Sequence, residues 1–172
     1  YTQLLWSNKY GLVSIGGNMN SKIQNLSFDD DEKLEWKQLN ELRLRGVGDV
    51  NTRQYNGLLY SSSVIMDDDK YIFNVGGNNG PMLHFDENTK TFLCDIQEEK
   101  WKELKNMNTA RCNMGIYYDD SNANKRIFVA GGEGKLGSKA ANYYDFVKDE
   151  WYDLPELNYQ HLNRPVIWKD DL

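Results

Sequence analysis

Ile127-Phe128-Val129-Ala130-Gly131-Gly132 is a short apolar run closed by two glycines, and it restates Leu12-Val13-Ser14-Ile15-Gly16-Gly17 and Ile72-Phe73-Asn74-Val75-Gly76-Gly77. Each run is rich in residues that suit a pleated surface, so each reads as a strand ending where the backbone must turn sharply. A second phrase follows each time: Trp36-Lys37-Gln38-Leu39, Trp101-Lys102-Glu103-Leu104 and Trp151-Tyr152-Asp153-Leu154 share Trp-x-x-Leu. Asp30, Asp95 and Asp145 each stand six residues before one of these tryptophans. Three coincident features in three places establish an internal repeat, and a repeat decides the fold before any single element does.

The double glycines recur at intervals of 60 and 55 residues, and the tryptophans at 65 and 50. Between the apolar runs lie clusters of Asn, Asp and Gly, the composition of tight turns. Four strands per repeat account for the pattern, and in the third repeat they are expected at about 113–118, 126–131, 140–145 and 150–154. The glycine pair supplies positive φ and close approach of backbones. The aspartate caps the turn into the fourth strand, the tryptophan fills the space between neighbouring sheets, and Asp67-Asp68-Asp69 reads as a hairpin turn.

Periods of this length, together with Met107-Asn108-Thr109-Ala110-Arg111, Tyr144-Asp145 and Trp151, resemble kelch repeats. The resemblance implies an all-β, kelch-type β-propeller of about three four-stranded blades plus the first strand of a fourth, part of a larger propeller. The blades are expected at about 1–42, 57–107 and 108–157, with an inter-blade loop at about 43–56 and the start of a fourth blade at about 163–168. A closed propeller has about four to eight blades. The opening at Tyr1 and the closing strand Pro165-Val166-Ile167-Trp168 therefore read as parts of a longer chain, or as ends covered by a second copy or another subunit.

Charge and composition narrow the function classes. A formal net charge of -6 argues against general nucleic-acid binding, which needs a concentrated basic surface. No apolar run approaches the roughly 20 residues of a membrane helix. Cys94 and Cys112 are the only cysteines, too few for a disulfide scaffold, which points to the cytoplasm or nucleus.

In a four-stranded antiparallel blade, loops joining second to third strands share a side with the linkers between blades. These are the segments at about 17–22, 78–90 and 133–139, with 43–56, 105–112 and 155–163. Resemblance to the kelch family implies that a protein partner binds there. Arg43, Arg45 and Arg53 against Asp49 make a local positive excess, with Arg111, Lys135 and Arg164 on or beside the same side. Such a face suits an acidic peptide segment, since Arg forks onto carboxylates. The long loop adds Asn78, Asn79, Met82, His84 and Phe85, and His161 lies in the last linker.

The family resemblance implies a protein-interaction module, one form of which is substrate recognition for a cullin-RING ubiquitin ligase. A structural or cytoskeletal scaffold is the alternative, and a propeller enzyme such as a copper oxidase or sugar epimerase the third class. Copper oxidases on kelch-like propellers use Tyr, Cys and His. His84, Cys94, Cys112 and His161 have no recognised metal spacing, and Cys94 holds the place of Tyr144 in its repeat, which reads as packing. No metal or organic cofactor and no catalytic residue is expected.

Overall fold

The computed structural model describes residues 3–15, 23–28, 31–38, 60–78, 87–98, 100–121, 125–134 and 139–162. Those residues form three four-stranded antiparallel sheets and no helix. Sheet 1 runs β1 (Gln3–Ser7), β2 (Gly11–Ile15), β3 (Ile23–Phe28) and β4 (Leu34–Gln38) in order. Sheet 2 is β5 (Ser62–Met66), β6 (Tyr71–Val75), β7 (Thr91–Asp95) and β8 (Lys100–Glu103). Sheet 3 is β9 (Gly115–Asp119), β10 (Arg126–Ala130), β11 (Ala141–Asp145) and β12 (Glu150–Asp153), within two residues of the expected strands at both ends.

The sheets stand side by side like blades. Strand β1 lies against β5 and β5 against β9, and among the described residues β1 does not meet β9, so the series is open at both ends. Alternation of side chains sets which residues meet. Phe73, with Met66 and Val75, turns one face of sheet 2 toward Ile127, Val129, Tyr144 and Trp151 of sheet 3. The other face turns Ile72 and Cys94 toward Val13, Ile15 and Ile23 of sheet 1. Apolar burial between sheets is the main favourable term here, because one sheet alone leaves both faces in water.

In sheets 2 and 3 the repeated motifs do the local work expected of them, while Gly16, Gly17 and Asp30 of the first repeat lie outside the described residues. Asp95 Oδ1 accepts from Gln97 N and Glu98 N at 3.0 Å each, and Asp145 Oδ1 accepts from Val147 N at 2.9 Å and Lys148 N at 3.2 Å. Asp67, Asp68 and Asp69 all have positive φ in the β5–β6 turn, closed by Lys70 N donating to Asp67 O at 3.1 Å. Gly76 has φ of 65°, and a Cβ there would lie 2.3 Å from Arg111 O. Only glycine admits that approach.

Polar clasps fix neighbouring sheets in register. Gln3 of sheet 1 donates to Ser61 O and accepts from Ser63 N at 2.7 Å. Ser62 Oγ donates to Met114 O at 2.6 Å, and Asn113 N to Tyr60 O at 2.8 Å. At the turn end, Asp67 accepts from Tyr118 OH and from Lys125 Nζ.

The three tryptophans are not equivalent in burial, contrary to the expectation from their shared place in the repeat. Trp151 is 6% exposed and its Nε1 donates to Lys105 O at 2.9 Å, Trp101 is half-buried, and Trp36 is 44% exposed. The position is the same, but the front of sheet 1 has no preceding sheet among the described residues.

Candidate functional face

The loops from second to third strands share one side with the linkers between sheets, and main-chain hydrogen bonds knit their bases together. In sheet 2 the chain leaves β6 through Gly76 and Gly77, forms a bridge from Asn78 to Glu87, and returns through Asn88. Gly77 N donates to Arg111 O at 3.0 Å, Asn88 N to Gly77 O at 3.0 Å, and Arg111 N to Asn88 O at 3.3 Å. In sheet 3 Gly132 N donates to His161 O at 2.9 Å, and Cys112 and Glu133 exchange two main-chain bonds of 2.9 and 2.8 Å. Asn113 Nδ2 reaches Glu133 Oε1 at 3.2 Å, which ties the linker side chain to the loop base. Among the described residues the bases of these two loops are thus tied to the linkers by main-chain bonds, and loops held in this way are a usual location of binding residues.

Of the sequence-derived candidates, Asn78, Arg111 and His161 are described. Arg43, Arg45, Arg53, Asn79, Met82, His84, Phe85, Lys135 and Arg164 lie outside the described residues. Asn78 is buried at the loop base, and the His161 side chain is exposed.

Arg111 corrects the sequence reading. It is fully buried, and its guanidinium donates to Gly131 O at 3.0 Å, to Ala140 O at 2.7 Å and to Asn142 Oδ1. Its Nε has no partner among the described residues. Burial pulls its pKa down to about 10, against the opposing attraction of Asp153, so it stays charged at neutral pH. A buried cation spent on its own sheet's carbonyls braces the loop base and leaves nothing for an acidic ligand.

Glu87 and Glu133 went unnoticed in the sequence. They mark the described part of this face with half-buried carboxylates, each beside a bridge to a neighbouring segment. The readable signal was their place: Glu133 follows the double glycine directly, where Asn78 follows the one before.

Tyr144, which is buried, and Tyr118, which is partly buried, carry raised pKa values. Burial, then hydrogen bonding to Asp149, raises Tyr144, and the same pair of causes with Asp67 raises Tyr118. Both phenols are braces between strands and sheets, away from the loop face. Cys94 and Cys112 are buried, and among the described residues no three His, Cys, Asp or Glu are grouped as metal ligands. No helix among those residues is long and apolar enough to cross a membrane.

With the blade-like arrangement in place, comparison with known proteins adds one finding. No family model matches the chain, and no curated protein matches it. Among solved structures it is similar to a novel fungal alcohol oxidase of the AA5 family, in complex with copper, at 15% identity and a TM-score of 0.64. The match covers 94% of this chain and 32% of that one, so the chain spans about a third of the length of its structural neighbour. At this identity the likeness is one of fold.

Proposed function

We propose that the chain is a kelch-type propeller segment that binds another protein through its loop face. One observation carries this reading: in sheets 2 and 3 the base of the second-to-third-strand loop and that of the linker that follows the sheet are pinned to one another by main-chain hydrogen bonds on a single side. Rigid bases under variable loops favour recognition, because less loop entropy is lost on binding. Substrate recognition for a ubiquitin ligase and a scaffolding role are two forms of this reading. They differ in what else the chain is joined to. The acidic-peptide form rests on Arg43, Arg45, Arg53, Lys135 and Arg164.

An array of short peptides of graded acidity, probed with residues 1–172, tests the reading. Selective capture of the acidic peptides is expected, weakened about tenfold, or ~1.4 kcal/mol, by Arg45→Glu or His161→Ala, strengthened by Glu133→Lys and unchanged by Lys148→Ala on the opposite side. Capture without sequence selectivity, or an equal loss from Lys148→Ala, would refute it.

A further inference from the structure

Every sheet has a front row and a back row, and the two junctions inside the chain pair them by one rule. In sheet 3 the front row is Tyr118, Ile127, Tyr144 and Trp151, one residue per strand in direct register. In sheet 2 the corresponding row is Ile65, Ile72, Cys94 and Trp101. Each front row packs on the back row of the sheet before it: Val64, Phe73 and Leu93 of sheet 2, and Leu5 with Val13 of sheet 1. The centre of the second junction is Phe73, with its ring 5.5 Å from Tyr144 and 6.2 Å from Trp151.

The same rows recur at the two ends, where no further sheet among the described residues packs on them, though Arg126 lies over the Tyr143 ring at 5.0 Å and Lys148 over the Tyr152 ring at 5.3 Å. Sheet 1 turns outward its own front row, with Trp6 paired to Leu12 and Leu26 to Trp36. Trp6 is 70% exposed, and Leu4, Phe28 and Leu34 on the same face are exposed too. Sheet 3 turns outward its back row, Tyr117, Phe128, Tyr143 and Tyr152, again one per strand. These rings are prearranged: Tyr143 stacks on Tyr152 with centroids 5.0 Å apart and planes within 14°, and Phe128 lies 5.9 Å from Tyr143.

The geometry points to a second copy of this chain as the occupant, joined head to tail with sheet 1 of one copy on sheet 3 of the next. The argument is continuity with an interface the chain already makes twice. Phe128 holds in sheet 3 the register place that Phe73 holds in sheet 2, and Trp36 holds in sheet 1 the place of Trp151. The Phe73 to Trp151 contact would thus be repeated between copies as Phe128 on the second copy's Trp36. The two end faces differ from each other and complement each other, which makes the contact heterologous rather than face to like face. Apolar faces of this extent mark interaction surfaces in soluble proteins.

Sedimentation of residues 1–172 over a wide concentration series, with Trp6→Glu for the front face and Tyr143→Arg for the back, tests this. The unaltered chain should associate, and each variant alone should sediment as a monomer. A mixture of the two variants should form a one-to-one heterodimer, since each supplies the face the other lacks. Leu4→Glu and Tyr152→Arg repeat the test at other sites of the same faces, with circular dichroism melts to show that all four fold. A monomeric unaltered chain overturns the proposal. So does a variant that still self-associates, which means like faces pair, or a mixture that stays monomeric.

Discussion

Truncating Trp151 and Trp36 to alanine, one at a time, separates place in the repeat from burial. Trp151 lies in the cluster between sheets 2 and 3, with Tyr144 at 5.3 Å and Phe73 at 6.2 Å between ring centroids. Removing such a ring from a packed core costs about 3–5 kcal/mol through lost transfer energy and the cavity left behind. The Lys105 carbonyl also loses its donor, which keeps the figure toward the upper end. Trp36 sits on β4, exposed at all five positions. Its truncation should cost about 1 kcal/mol, near the centre of the range for point substitutions, because the ring is still partly covered. For a chain of this size the two costs correspond to losses in Tm of roughly 6–20 °C and roughly 2–4 °C. Far-UV circular dichroism is the suitable assay, since fluorescence would lose its probe, and low protein concentration keeps the end faces unassociated. Equal losses for the two variants would refute the argument that burial, and not the motif, sets the energy.

Arg111→Met should destabilise by about 3 kcal/mol in urea, because two carbonyls and the Asn142 oxygen lose a charged donor. Arg111→Lys should recover only part, an ammonium being unable to fork onto three acceptors. Acid should weaken the fold through Asp67 and Asp149. Burial alone would raise the Asp67 carboxyl, but hydrogen bonds from Lys125 and Tyr118 outweigh it and hold it below its ordinary 3.8. The Tyr144 hydroxyl, then the Lys105 amide, hold Asp149 below 3.8 as well. A folded pKa below the unfolded one means stability complete above about pH 5 and lost as pH falls through the folded values. Asp149→Asn should flatten that part of a Tm against pH curve, and an unchanged slope would count against the assignment.

Local features were legible in the sequence, and long-range ones were not. Asp145 and its turn could be read directly, since a carboxylate reaching amides two and three residues on needs nothing from elsewhere. The strands of sheet 3 followed from the repeat with the same security. Arg111 was misread because a charged residue in a linker is ordinarily solvated. Its cradle comes from Gly131, Ala140 and Asn142, 20 to 31 residues further along. The Asp67 to Tyr118 brace spans 51 residues and left no trace in composition. The end rows were not legible: alternation separates Tyr117 from Tyr118 and Tyr143 from Tyr144 within a strand, but only the pairing register puts Tyr117, Phe128, Tyr143 and Tyr152 on one face and in one line. Of the candidate loop face, Asn78, Arg111 and His161 could be placed, the first two of them inside the protein.

The junction between sheets is written in backbone. Gly77 N meets Arg111 O in the linker after sheet 2, and Gly132 N meets His161 O in the segment after sheet 3, the same bond although one side chain is a buried cation and the other a solvent-facing imidazole. A joint made of a glycine amide and a carbonyl carries no memory of its neighbours' side chains. What tells one seam from the other is the side-chain clasps, Gln3 on Ser61 and Ser63 between sheets 1 and 2, and Ser62 on Met114 with Asp67 on Tyr118 between sheets 2 and 3. The rows that face across each seam differ as well, where Ile72 and Cys94 suffice at one joint and Tyr144 and Trp151 are used at the next.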